Sequence, residues 1–498
     1  MTPTRRDFLK LGSAFALVPA GLRSCTVRIP QDEGISGMVV NDIHSQLNRT
    51  IVDRVLRPKS VDELRVAVLG AKSAGKAVSI CGRRHSMGGQ QFGTATALVD
   101  MTGLNRVLSL DRNRGVIEVE AGIEWPELLG YLTEAQKDQQ TNWGIMQKQT
   151  GADRLSIGGA LASNVHGRGL KLKPIIDQVE SFTLVDHAGE IRGCSRQENP
   201  ELFRLVIGGY GLFGVVTSVK LRLWGRKKVQ RVVEIRDLRD IPQMFEQRIA
   251  DGYLYGDFQY ATDSNRDSFM RRGVFSCYRP VDPATPITQN QIRFHPDDWA
   301  KLTYYTHKYK RRAFEVYTKR YLETSGQIYW SDSQLSAAYK DNYHEELDRR
   351  LHARAKGSEM ITELYVPRAS LISFMEEARE ELKRRKANVI YGTVRLIERD
   401  DESFLAWARE PWACIIFNLH IDHTPPKVEE AAAAFRSLID IAINHGGSYY
   451  LTYHRWATRE QVEKCYPQFG EFLKLKLKYD PDEVFQSDWY RHYRRMFA

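Results

Sequence analysis

The chain has 498 residues, of which 42% are hydrophobic and 10% aromatic, and its formal net charge is +10. That length sets an expectation of two or three domains, and that apolar content excludes a disordered chain. The basic excess favours anionic partners, but no zinc-finger spacing or RNA-binding aromatic signature accompanies it, so no nucleic-acid partner is expected.

The first residues read as an address. Thr4-Arg5-Arg6-Asp7-Phe8-Leu9-Lys10 has the form of a twin-arginine motif, followed by a modest apolar stretch from Leu11 to Ala20. That stretch is too short and interrupted for a permanent anchor across a bilayer of roughly 30 Å. The alternative is an amphipathic N-terminal helix. Arg23, two residues before Cys25, argues against lipidation there. Residues 1–30 are therefore read as a signal segment, with the twin-arginine export machinery as partner and a periplasmic or secreted location. The six cysteines (Cys25, Cys81, Cys194, Cys277, Cys414 and Cys465) form no CxxC pair. This argues against a metal site or a disulfide framework and leaves a single bridge open.

After a polar linker the first folded unit starts near Asn48. Ser60 and Glu63 predict a capping box for a helix with Leu64, Ala67, Val68 and Ala71 on one face. Ala77-Val78-Ser79-Ile80 predicts a strand entering the loop Cys81-Gly82-Arg83-Arg84-His85-Ser86-Met87-Gly88-Gly89-Gln90. A strand that runs into a glycine-bearing loop presents backbone N–H groups that can hold an anion such as a pyrophosphate. His85 then lies beside whatever the loop holds; the alternative is a hydrated loop histidine. Gly115 to Ala121 alternates as a half-buried strand, and Trp125 to Thr133 is a helix opened by Pro126. In Gly151 to Gly169 small residues dominate, with Ser156, Ile157, Gly158, Gly159, Ser163, Asn164, His166 and Gly167 among them. A flat ring can lie against such a backbone, or the segment is simply tightly packed core. Ser181 to Asp186 and Glu190 to Cys194 flank a hairpin turn.

Gly209-Tyr210-Gly211-Leu212-Phe213-Gly214 fits GxGxxG, but a helix precedes it and the alternating run from Val215 and Val216 onward follows it. A dinucleotide fold needs the reverse order, so a nicotinamide site is excluded and the glycines are close-packing or cofactor-loop residues. Beyond Val229 the composition turns charged and aromatic, and residues 300–355 give no guide to a role. In Cys414 to Asp422, period two places Ile415, Phe417, Leu419 and Ile421 on one face and Asn418, His420 and Asp422 on the other. The polar face either lines a cavity or meets solvent. Ser448 to Trp456 predicts another strand, carrying Tyr450, Tyr453 and His454.

The Cys81–Gln90 loop resembles the first flavin-contacting loop of the vanillyl-alcohol-oxidase/p-cresol-methylhydroxylase superfamily, in which many members attach the FAD 8α-methyl carbon to a histidine at this place. Gly151–Gly169 is similar to that superfamily's "IGGALATNAHG" segment, and Asn199–Leu221 to the end of its FAD domain. Ile361–Arg368, Val394–Asp401 and the tail (Tyr466-Pro467, Lys478-Tyr479-Asp480-Pro481, Phe485, Ser487-Asp488) resemble its sugar-oxidising branch of alditol and aldonolactone oxidases and decaprenylphosphoryl-ribose oxidase.

The resemblance implies an α+β fold. A two-subdomain PCMH-type FAD-binding domain would cover residues 46–226. A substrate domain with a large antiparallel sheet flanked by helices would cover 227–450, and segment 451–498 would return to the FAD domain. It implies FAD, covalent through His85, held by Cys81–Gln90, by Gly151 and the small residues named above, and by Gly214, Val215 and Val216. It implies oxidation of a CH–OH group in a sugar, polyol or lactone, with Arg395 in the substrate-sheet motif and oxygen or a redox carrier as acceptor. Tyr453 stands where decaprenylphosphoryl-ribose oxidase has a lysine, and Tyr450 where it has a tyrosine. That departure, with His85, favours the alditol and aldonolactone oxidases. The proton acceptor stays open among Tyr453, His454 and His420. The alternatives are a flavin dehydrogenase of another CH–OH or CH–NH substrate feeding a quinone or cytochrome, and a secreted flavin-containing binding protein.

Overall fold

Three principal sheets carry the fold in this computed structural model, which describes residues 36–139, 142–336 and 343–498. The twin-arginine motif and Cys25 lie outside the described residues. The first sheet is parallel, in the order Arg54–Leu56, Ala97–Asp100, Val78–Cys81. Helix Val61–Ser73 packs on it through Leu64, Val68 and Ala71, which join Val78, Ala97 and Val99 in one apolar cluster. Ser60 Oγ accepts the Glu63 amide at 3.1 Å, as expected, but the Glu63 carboxylate accepts the Lys59 amide at 2.7 Å and not that of Ser60. The helix start is thus capped from one residue further out.

The second sheet is antiparallel, in the order Ile191–Ser195, Val179–Val185, Val215–Arg222, Val116–Glu120, Val107–Asp111. The predicted hairpin closes on Gly189 at φ +77°. Val116–Glu120 is not half-buried. It is an inner strand, and every residue but Glu118 is buried. The glycine-rich run follows helix Pro200–Val206 and leads into strand Val215–Arg222, the order the sequence indicated.

The third sheet has eight antiparallel strands, in the order Ile328–Trp330, Lys228–Asp237, Arg272–Pro280, Tyr255–Tyr260, Val389–Ile397, Trp412–Asp422, Gly357–Pro367, Ser448–Tyr449. Register fixes its two faces. Ile361 pairs Asn418, Glu363 pairs Ile416, and Thr393 pairs the same Ile416 from the other side, so these side chains share one face. Phe417 points the other way, against Phe374 of helix Leu371–Arg384, and helix Pro425–Asn444 packs alongside that helix.

The run Ser448–Trp456 leaves the sheet after Tyr449. The Tyr450 amide still reaches Glu363 O at 2.9 Å, but the Leu451 and Thr452 carbonyls are taken by the Gln90 side chain, at 3.4 and 2.6 Å. Tertiary hydrogen bonds therefore override the β-propensity of the run. Further on, Val484 O accepts the Val78 amide at 2.6 Å, Gln486 N donates to Val78 O at 2.9 Å and Asp488 N to Phe92 O at 2.7 Å. The five described cysteines are free and buried. Among the described residues no helix is long and apolar enough to cross a membrane.

Candidate active site

A cavity of about 990 Å³ is enclosed by the two small-residue loops on one side and the inner face of the eight-stranded sheet on the other. Of the loop residues singled out in the sequence, Cys81, Gly82, Arg83, Arg84, His85, Ser86, Met87, Gln90, Gly151, Ser156, Gly158, Gly159, Ser163, His166, Gly214 and Val216 line it. Six do not. Gly88 and Gly89 pack against Thr452 and Asn48 behind the loop. Ile157 and Val215 sit in apolar core. Asn164 turns the chain at φ +47°, its amide on Asp400 Oδ2 at 2.8 Å and its oxygen on the Ile176 amide at 3.1 Å. Gly167 donates its amide to Gln147 Oε1 at 3.1 Å.

The His85 ring has His44 against one nitrogen and the Arg154 backbone close by. Nδ1 lies 2.7 Å from His44 Nε2, while its buried Nε2 has no hydrogen-bond partner. Burial lowers His85 to about 4 and His44 to about 3, so both rings are neutral at pH 7 and one donates to the other. His44 falls in the run the sequence reading took for a linker. Only its spatial partner, 41 residues away, marks it.

On the sheet side, alternate residues of three adjacent strands face the cavity: Glu359, Ile361 and Glu363; Ile416 and Asn418; Tyr391 and Arg395. Arg395 is 6% exposed, its Nε has no hydrogen-bond partner, and among the described residues it forms no ion pair. The alternative partners are engaged elsewhere. Asp400 accepts from Ser403 and Asn164, and Asp401 meets Arg399 and Lys173. The Asn418 Oδ1 is likewise buried without a partner. Glu363, at 1% exposure, was not singled out as a site residue, yet His166 Nε2 stands 2.6 Å from its Oε1. Burial and the nearby Glu363 carboxylate raise the Tyr453 phenol well above its ordinary value, so it remains a donor. Tyr450 lines the cavity, but its hydroxyl donates to Ser163 O and so ties the sheet side to the second loop.

Two expected residues are not in the site. His454 is buried beneath it, stacked among Phe435, Tyr449 and Trp456 with Thr362 Oγ1 3.1 Å from Nε2, and burial lowers it to about 3. The chain turns after Tyr449, which sends His454 into the core. His420 shares the face of Asn418 but lies beyond the cavity wall against Glu359, 3.2 Å from Oε1. Neither histidine lines the cavity, whereas the Glu363–His166 pair does.

The walls fit FAD. The volume reaches the top of the range of about 300–1,000 Å³ usual for small-molecule sites. Gly82, Gly158 and Gly159 present bare backbone to the cavity, and a Cβ on Gly158 would stand 2.9 Å from that of Ala121. The His85 ring lines the same space. The FAD binding domain family matches residues 52–195, and the D-arabinono-1,4-lactone oxidase family matches residues 312–493. L-gulono-1,4-lactone dehydrogenase of Mycobacterium tuberculosis is 24% identical over 440 residues, covering 88% of this chain and 95% of that protein. Mitochondrial L-galactono-1,4-lactone dehydrogenase of Arabidopsis thaliana is 29% identical over 164 residues, 32% of this chain and 26% of that one. L-gulonolactone oxidase of Mus musculus is 29% identical over 167 residues, 33% and 36% respectively. Fold, site and matches together define an FAD-dependent oxidoreductase. Within that class the two family matches and the aldonolactone oxidase and dehydrogenase relatives are consistent with the alditol and aldonolactone oxidase branch of the vanillyl-alcohol-oxidase/p-cresol-methylhydroxylase superfamily.

Proposed function

We propose that the protein oxidises a ring CH–OH carbon of a sugar lactone of the aldonolactone type. The observation that carries this reading is the Arg395 guanidinium, buried without a counter-ion on a cavity wall shared with Glu363, Tyr453 and Asn418. Bound FAD supplies the two-electron acceptor. Arg395 offers a fixed fork of donors to a substrate carbonyl or hydroxyl oxygen, and Asn418 can accept from a second hydroxyl. Tyr453 hydrogen-bonds the reacting hydroxyl, and Glu363, held by His166, receives its proton. The large face of the sheet and the Tyr450–Ser163 bond keep water out while this happens.

His85 is proposed as the covalent attachment point. Support comes from its neutral ring, its buried unpartnered Nε2 and its place in the flavin loop. Export by the twin-arginine route is proposed from Arg5 and Arg6, and a double lysine substitution should hold the protein in the cytoplasm without loss of activity. The lactone assignment is tested by anaerobic mixing with γ-lactones of aldonic acids and with the matched open-chain polyols. Bleaching of the flavin by the lactones is expected. Bleaching by polyols alone, or by nothing in either set, removes the reading.

A further inference from the structure

A second cluster of chemistry-bearing side chains lies at the far end of the same sheet face. Glu359 and His420 are cross-strand partners, and helix Pro296–Lys308 lays His307 over them. His307 Nε2 is 3.0 Å and His420 Nδ1 3.2 Å from the same oxygen, Glu359 Oε1. The ligand atoms of all three residues lie within 4.8 Å of one another. His307 and Glu359 side chains are each 3% exposed and His420 13%.

The hydrogen-bond inventory does not close with neutral rings. His307 Nδ1 lies 2.8 Å from the Thr303 carbonyl, which can only accept, so Nδ1 carries the proton. Its Nε2 then presents a lone pair to a carboxylate oxygen. His420 stands between two carboxylates, with Nδ1 toward Glu359 and Nε2 3.5 Å from Asp422 Oδ1. A neutral His420 can donate from Nδ1 to Glu359, but the His307 Nε2 lone pair facing Glu359 Oε1 calls for either one extra proton, on His307 or on the carboxyl, or a cation.

The spacing admits a cation. Four ligands at the zinc–nitrogen distance of about 2.0–2.1 Å stand about 3.3 Å apart at tetrahedral angles, near the 3.0 and 3.2 Å seen here, a spacing that hydrogen bonds also span. His307 has the backbone-carbonyl outer partner that ligating histidines ordinarily have, and Asp422 Oδ1 stands 3.5 Å from the outer nitrogen of His420. A further group points into the cluster. His344 is 2% exposed, neither of its ring nitrogens has a hydrogen-bond partner, and its Nδ1 lies 3.1 Å from Glu359 Oε2 without the alignment of a hydrogen bond. Two imidazoles and one carboxylate suit zinc or its neighbours and not the all-oxygen preference of magnesium or calcium.

We propose that His307 Nε2, Glu359 Oε1 and His420 Nδ1 bind a divalent cation of the zinc class, which pins helix Pro296–Lys308 to strands Gly357–Pro367 and Trp412–Asp422. Trp299, Thr303 and Thr306 of that helix, and Glu359 itself, also line the main cavity, so the clamp sets one wall of it. Its carboxylate lies within electrostatic reach of His44, the partner of His85, so the clamp adjoins the first loop as well.

The test uses the full-length holoprotein. After dialysis against a chelator, zinc is added back and bound metal is counted by mass spectrometry. In a parallel sample cobalt(II) is added and its ligand-field absorption is read beyond the flavin band. One metal per chain is expected, with a rise in melting temperature on zinc addition. His307→Gln and His420→Gln should each lose the stoichiometric metal and the cobalt bands at unchanged flavin content. Asp422→Asn should weaken zinc about 10- to 100-fold. No stoichiometric zinc or cobalt in the wild type overturns the proposal and leaves the protonated pair. Equal metal in the wild type and both glutamine variants also overturns it, as an adventitious ion only.

Discussion

Arg395 is held almost out of water with no carboxylate beside it, an arrangement that costs several kcal/mol unless a ligand or the reaction uses the charge. Arg395→Met should therefore slow flavin reduction by about 30- to 1000-fold, equivalent to about 2–4 kcal/mol of transition-state stabilisation, at unchanged flavin content. Stopped-flow reduction at the wild-type rate would show that the guanidinium does not touch the reacting atoms. His85→Ala should release yellow cofactor into the supernatant on acid precipitation, where the wild-type pellet keeps it. An uncoloured wild-type pellet rules out the bond. The placing of His85 and Arg395 on the cavity wall could be anticipated because each sits in a contiguous motif. That of Glu363 could not, since its partner His166 is 197 residues away and only folding brings the two to 2.6 Å. His454 misled for a related reason. A residue's face on a strand is predictable only while the chain remains in the sheet.

At the scale of elements, the small-residue loops line the cavity, and space decides which glycine matters. Gly158 donates its amide to Ala121 O at 2.7 Å, and a Cβ there would lie 2.9 Å from the Ala121 methyl. Gly158→Ala should cost about 1–3 kcal/mol by overpacking and lower the flavin content. Gly130, inside helix Trp125–Ala135, has nothing within 4 Å of its missing Cβ. Gly130→Ala should therefore stabilise by about 0.5–1 kcal/mol. Thermal melts of both variants check the pair, and a drop for Gly130→Ala would contradict this account of the helix. The helix-then-strand order around Gly209–Gly214 could be read from periodicity alone. The early end of the Ser448 strand could not, because a glutamine 362 residues earlier takes its Thr452 carbonyl.

For the whole molecule, the sheet architecture followed from resemblance and alternation, but the use of its inner face did not. The sequence left solvent or cavity open for Asn418, and the register with Ile361 under the flavin loops settles it as cavity. Burial on this scale also sets the response to acid. His44 and His454 are both lowered to about 3 by burial, against about 6.5 when unfolded. Below pH 6.5 the unfolded chain takes up protons that the native rings refuse. Stability is thus fully present above that pH and falls as pH drops toward 3, by up to about 1.4 kcal/mol per pH unit for each histidine. Urea midpoints measured between pH 7 and 4 should decline steeply, and less so in His454→Gln. A flat profile would mean that these rings are protonated in the native state.

The backbone around Val78 has one further consequence, for the order in which the protein can be made. The partners of Val78 and Phe92 come from Val484, Gln486 and Asp488, and Asp488 also accepts the Thr94 amide at 3.0 Å. A nascent chain still threaded through the ribosome has produced its flavin loop hundreds of residues before the segment that braces it. Vectorial synthesis therefore leaves the Val78 strand with open hydrogen-bonding groups until Val484 to Asp488 have emerged, and any fragment released before then exposes that edge to other chains.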